Sequence, residues 1–326
     1  MGVKRKITRA TKQDVTIYEA FDTFIDEKKS LNKSKATITS FEGSFKRWSE
    51  YIESREMSTN LEDIETGYFY AFSNYCLNEE MKPTTLNHYL RDIRAFLYWC
   101  MEKKQIDPPF KVKLVTEQEV IKETYSDDEK LALIRKPSKN ASFVEWRTWA
   151  IINWILATGN RASTVCEMKL GDLNYQRKEI IIRKTKTNKA MILPFSSALI
   201  VVMREYTKMW RNDADDESYL FPNVGEEQLT VNALKHSIAK YNKNRGVEKT
   251  STHALRHTFA KDWIRNTGDV FRLQKLLGHS TLEMTRRYVN MFSEDLKQGF
   301  EEYNPLDRLK KNNSRTQKVM KNNLMD

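Results

Sequence analysis

The chain has 326 residues, 40% apolar and 30% charged, with a formal net charge of +11. That is enough for two globular, soluble domains, each with its own core. The most apolar run, AIINWILATG, is too short to span a bilayer and contains Asn153; no apolar stretch follows the basic N-terminus, so a signal peptide is excluded. The three cysteines, Cys76, Cys100 and Cys166, are odd in number and far apart. They exclude a disulfide framework or a thiolate zinc site and indicate a reducing cytoplasm. The positive balance points to an acidic partner such as nucleic acid. Much of it lies at the ends. Residues 1–14 hold five Lys/Arg against one Asp, and 306–326 hold six against two, leaving +3 for residues 15–305. Both tails read as disordered, either solubilising or touching phosphate non-specifically.

The first third reads as all-helical. Thr16–Glu27, Lys35–Glu53, Ile64–Leu77 and Thr84–Glu102 carry apolar residues at three- and four-residue spacing. Leu86, Leu90, Ile93, Phe96 and Leu97 form one stripe. Phe41, Phe45, Trp48 and Tyr51 form an aromatic one, read as core packing. The stretch 106–125 has two prolines, mixed charge and no period, and reads as an interdomain linker. The expected divisions are a tail over 1–15, a helical domain over 16–105, a second domain over 126–305 and a tail over 306–326.

The second domain opens at Ser126-Asp127-Asp128-Glu129, a capping box. A helix over Glu145–Thr158 follows, closed by Gly159. EIIIRKTKTNKAMILPF, residues 179–195, places two apolar β-branched runs around a polar turn and reads as a hairpin. Helices follow at about 197–211, 231–244, 253–266 and 270–277, the last two ending at Gly268 and Gly278. Ser280-Thr281-Leu282-Glu283 is a second capping box before a helix carrying Tyr288, and a short helix at about 294–303 stops at Asn304-Pro305. The domain is mostly α with a small antiparallel sheet.

Some polar residues sit where packing alone would not ask for them. Arg161 follows the Gly159 turn, Lys186 occupies the hairpin tip, and His253 and Arg256 share one helical face. His279 follows Gly278, and Tyr288 lies nine residues later. The motifs ATGNRAS, the lysine hairpin, HALRHTFA, LLGHS and TRRYV, in this order, resemble the tyrosine recombinase (phage integrase) family across roughly 126–303. The helical first domain resembles that family's core-binding domain. The resemblance implies a catalytic set of Arg161, Lys186, His253, Arg256, His279 and Tyr288, with Lys184 and Lys189 as rivals for Lys186. One departure stands out: Thr164 occupies the usually acidic position three after the first arginine.

The resemblance implies an enzyme that cuts and rejoins double-stranded DNA at specific core sites. Tyr288 is the nucleophile and a 3′-phosphotyrosine the intermediate. Arg161 and Arg256 would each offer two-pronged donors to the phosphate, which lysine cannot. His253 is the candidate acid/base for the tyrosine proton, and Lys186 the donor to the leaving 5′ oxygen. No cofactor, metal or nucleotide is required. The family also implies a tetramer acting through a Holliday junction, a C-shaped clamp of two domains, and docking of Asp295–Asn304 on a neighbouring subunit. Residues 1–15 are too few for a separate arm-binding domain. The ending YVNMFSEDLKQGFEEYNPLDRL resembles integrases of mobile elements, with accessory proteins possible and a cytoplasmic location, on the nucleoid when DNA-bound.

Alternatives remain: a Xer-like dimer resolvase, a type IB topoisomerase, or a non-enzymatic DNA-binding regulator. A fourth is a metallohydrolase on His253 and His257, four apart as in H-E-x-x-H, but Ala254 stands where that motif has Glu. His257 is therefore read as structural support. His88 and His236 read as unpartnered surface or packing residues, and Cys166 as core.

Overall fold

The computed structural model describes residues 15–117, 123–183, 190–266 and 269–286. The chain divides into two compact units, residues 1–120 and 121–326.

The first unit holds four helices: α1 (Ile17–Ser30), α2 (Lys35–Ser54), α3 (Thr66–Asn78) and α4 (Pro83–Glu102). Thr16 caps α1 in a full capping box with Glu19, and Ser34 caps α2. Pro83 opens α4 one residue before the expected start, because its missing N–H costs nothing in the first turn. Helix α3 starts later than its apolar pattern does, because Ile64 is buried at the end of a separate 3-10 turn, Leu61–Asp63.

The stripe from Leu86 to Leu97 is buried, as are Phe45, Trp48 and Tyr51. Phe21 stacks on Phe45 with centroids 3.8 Å apart, and Phe96 meets both edge-on. Each such ring contributes roughly 1.5–3 kcal/mol by leaving water. The aperiodic stretch after α4 packs irregularly on this same core, with Ile106 and Val112 buried. Asn87 secures it. Its amide donates to the Val115 carbonyl at 2.7 Å and accepts from the Val115 N–H at 2.9 Å. His88 is not unpartnered: its Nε2 lies 3.2 Å from the hydroxyl of Ser40, which also donates to Asp92.

The second unit is mostly α with one small sheet. In chain order it runs α5 (Asp127–Ile134), α6 (Phe143–Thr158) and α7 (Ala162–Glu167). Strands β1 (Leu173–Asn174), β2 (Glu179–Ile182) and β3 (Met191–Pro194) follow. Then come α8 (Ser197–Trp210), α9 (Val231–Asn244), α10 (Thr252–Arg265), α11 (Val270–Leu277) and α12 (Leu282–Arg286). Helix α6 is apolar nearly all round, and α5, α8, α9 and α10 pack on it. That is why it shows no narrow stripe.

The sheet is antiparallel in the order β1-β2-β3, with Ile180 opposite Leu193 and Ile182 opposite Met191. Ile180, Ile182 and Leu193 point into the core, while Ile181 and Ile192 point out, the period-two signature of a half-buried hairpin. Strand β1, only two residues long, has no such signature and was not anticipated. The capping box at Ser126 forms as expected. Before α12 the Ser280 hydroxyl lies 3.7 Å from the Met284 sulfur. Gly268, both tails and the helix expected at 294–303 lie outside the described residues. Among the described residues no helix is long and apolar enough to cross a membrane.

Candidate active site

The site begins where α6 ends. Gly159 adopts the left-handed conformation, φ 64° and ψ 17°, and donates its N–H to the Ile155 carbonyl at 2.8 Å. A Cβ there would lie 2.4 Å from Phe259 Cδ1 and 2.7 Å from Leu277 Cδ2. Backbone conformation and lack of space both demand glycine. The next residue, Asn160, is buried and accepts from Trp154 Nε1 at 2.9 Å, so the turn is fixed from beneath. Arg161 then emerges at the N-cap of α7, half-buried, and points its Nη1 at the Leu277 carbonyl, 3.4 Å away.

Helix α10 supplies the second arginine. Its N-cap is Ser251, whose hydroxyl accepts from the Ala254 N–H. Arg256 is 5% exposed. Its Nη1 donates to the Gly159 carbonyl, and its Nη2 donates to the Leu277 carbonyl at 2.9 Å. The same Nη2 lies 2.9 Å from His279 Nε2. Leu277 is the last residue of α11, where helical carbonyls lack partners and the dipole favours cations. Gly278, left-handed at φ 60°, reverses the chain so that the His279 N–H returns to the Gln274 carbonyl at 3.0 Å.

These contacts assign the His279 tautomer. A guanidinium only donates, so Nε2 accepts and the ring proton sits on Nδ1. Nδ1 therefore donates to Thr285 Oγ1, 2.9 Å away on α12, a fully buried side chain. Thr285 escaped the sequence reading. Its signal was only its place between LLGHS and Tyr288.

Arg161 and Arg256, far apart in sequence, thus converge on one carbonyl, and His279 lies against Arg256 there. His253 sits one helical turn before Arg256, exposed, with its ring centroid 6.5 Å from that of half-buried His257. Lys186 and Tyr288 lie outside the described residues, as does Asp295–Asn304. The strands around Lys186 are described, and they end at the site: Met191 Sδ lies 3.8 Å from where a Gly278 Cβ would stand, and Arg161 Nη1 lies 4.0 Å from it. Buried Asp172 anchors the other side of the hairpin, accepting from Arg183 Nε at 2.6 Å and from the Lys169 N–H at 2.8 Å. Thr164 lines an open cavity of about 300 Å³ with Glu167, Asp172 and Arg183.

The arrangement suits a tetrahedral anion. Two guanidiniums meet at one carbonyl, and a phosphate offers oxygens to both. Among the described residues no three His, Cys, Asp or Glu side chains are grouped to hold a metal ion. Burial pushes the Cys166 thiol up to about 11 and the Cys100 thiol up to about 12, which makes both poor nucleophiles.

Residues 124–295 match the phage integrase family, and residues 16–113 match the phage integrase SAM-like domain. Tyrosine recombinase XerD of Staphylococcus epidermidis is 23% identical over 298 residues, covering 89% of this chain and 99% of the relative. A probable integrase/recombinase of Acholeplasma phage L2 is 26% identical, covering 85% and 97%. Among solved structures, XerH recombinase on its difH substrate superposes with a TM-score of 0.66 at 19% identity, over 87% of this chain and 84% of that one. The Tn1549 transposon integrase with circular intermediate DNA gives 0.66 at 17% identity, over 87% and 99%. With the family match spanning more than half of its length, the chain belongs to the phage integrase family and is a tyrosine recombinase, an enzyme that transfers DNA strands.

Proposed function

We propose that this protein recombines double-stranded DNA at specific sites on behalf of a mobile element, using Arg161, Lys186, His253, Arg256, His279 and Tyr288. The observation that carries the reading is the convergence of Arg161 and Arg256 on the Leu277 carbonyl, with His279 Nε2 against the Arg256 guanidinium. In cleavage, the Tyr288 oxygen attacks the scissile phosphorus, the P–O3′ linkage is kept, and the P–O5′ bond breaks. His253 takes the tyrosine proton and Lys186 returns one to the leaving 5′ oxygen, so a free 5′-hydroxyl and a 3′-phosphotyrosine result. Arg161 and Arg256 hold the non-bridging oxygens as negative charge grows on them. Such preorganised donors are worth roughly 100-fold or more in rate apiece. His279 orients the Arg256 fork through Nε2. Rejoining is the same step reversed, with the 5′-hydroxyl of a second strand as nucleophile; no cofactor enters the balance.

The first helical unit is the proposed core-binding domain, with the linker and tails as read from the sequence. Lambda integrase has been solved as a tetramer bound to a Holliday junction, which supports a tetramer here, joined through Asp295–Asn304. A cytoplasmic location follows from a DNA substrate. The several Xer relatives support a second reading, a dimer resolvase. Repeats flanking the gene mark the mobile element; a lone chromosomal site marks the resolvase.

The test is covalent capture. A nicked duplex, selected from a random pool by binding to the protein, is mixed with wild type and with Tyr288→Phe. Wild type is expected to yield a denaturant-resistant protein–DNA adduct and the variant none, though both bind. Adduct formation by the variant, or none by wild type, refutes the assignment.

A further inference from the structure

The first residues of the second unit are tied to the helix that carries His253 and Arg256. Tyr125 is 4% exposed. Its backbone N–H donates to Thr258 Oγ1 at 2.8 Å, and Thr258 Oγ1 donates in turn to the Ala254 carbonyl at 2.8 Å. Its hydroxyl reaches the Lys249 and Ser251 carbonyls, at 3.2 and 3.4 Å, and accepts from Asn242 Nδ2 at 3.0 Å. Asn242 is itself fully buried and bonded to the Lys249 carbonyl at 2.7 Å. Two ion pairs flank the ring: Lys249 with Glu129 at 2.7 Å, and Lys130 with Asp262 at 2.6 Å. Residues 125–130 therefore hold α10 before its first turn, at its middle and toward its end. His253 and Arg256 lie between those ties.

None of these contacts is needed merely to fill space. A phenylalanine would occupy the same volume, and the apolar face of α10 already packs through Ala254 and Leu255. What the polar ties add is a fixed position and rotation for α10. An error of about 1 Å in a catalytic group costs on the order of 100-fold in rate.

We infer that Tyr125 is a positioning residue for the strand-transfer reaction, setting α10 so that His253 and Arg256 address the scissile phosphate together. The inference rests on the function proposed above.

The experiment uses the full chain and the nicked duplex selected above. The adduct-forming rate in a single turnover and the duplex affinity are measured for wild type, Tyr125→Phe and Thr258→Ser, with melting temperatures to confirm folding. Tyr125→Phe is expected to cleave about tenfold slower with affinity within about twofold. Thr258→Ser, which keeps the hydroxyl that accepts from Tyr125, is expected to stay near wild type. Wild-type cleavage by Tyr125→Phe overturns the inference, and so does an equal loss of affinity and rate. If Tyr125→Phe does not fold, Lys130→Gln decides, because it removes the tie to Asp262 and otherwise only a pair with Asp127 on its own helix. It is expected to slow cleavage severalfold at unchanged affinity, and an unchanged rate overturns the inference. A wild type that forms no adduct removes the proposed function itself, an outcome distinct from either.

Discussion

At the scale of single residues, the site depends on groups that never touch DNA. Thr285 accepts the Nδ1 proton of His279 and so leaves Nε2 free to face Arg256. Thr285→Val keeps the shape but removes the acceptor of that half-buried N–H, where an unmet donor costs about 1–3 kcal/mol. We expect adduct formation to fall about 10-fold or more, with Thr285→Ser close to wild type. Equal rates for Val and Ser would show that the hydroxyl does not orient His279. The two histidines of α10 separate in the same assay. His253→Gln removes the proposed acid/base and should lower the rate about 100-fold or more. His257→Gln, on a half-buried support, should change it only a few-fold. Similar losses for both would put His257 in the chemistry.

At the scale of elements, the first unit contains a charge-dependent clasp between α1 and α4. Glu27 accepts from Trp99 Nε1 at 3.0 Å and pairs with Lys103 at 3.1 Å. These two, Trp99 first, hold its carboxyl from the ordinary 4.5 down to about 2. A folded value below the unfolded one adds stability above the unfolded pKa, and that stability fades as pH falls from about 4.5 toward 2. Glu27→Gln should therefore be less stable than wild type in denaturant melts at pH 7, with a smaller gap at pH 3. A gap that is equal at both, or wider at pH 3, contradicts the clasp. In the second unit the elements carry the site through their ends. Arg161 follows the end of α6, Leu277 closes α11, and both ends turn on glycines with positive φ.

At the scale of the whole molecule, the +11 charge bears on a polyanionic partner more than on folding. Each phosphate neutralised by Lys or Arg contributes about −0.9 to the slope of log affinity against log salt. Gripping a duplex through several phosphates should weaken binding about 10³-fold between roughly 50 and 200 mM salt. Arg161→Ala should lower the slope by about one. A slope near zero would mean that phosphate contacts do not dominate, against the proposed mode of action.

The sequence by itself determined what is local. The cap at Ser126, the stripe through Leu86–Leu97, the hairpin alternation and the Gly159 and Gly278 stops are decided within a turn or two, where periodicity and dihedral limits operate. The candidate residues were legible too, because their motifs keep order and spacing along the chain. Tertiary structure alone decided which atoms meet. Arg256 bonds Gly159 across 97 positions, and Tyr125 bonds Thr258 across 133. No pattern of neighbours encodes such contacts. The same holds for β1, which needs β2 to exist, and for residues 106–115, whose lack of period reflects irregular chain fitted to a surface built by other helices. The His279 tautomer is the sharpest case. The imidazole is ambiguous in the sequence, and only the packing of α10, α11 and α12 places a donor on one nitrogen and an acceptor at the other.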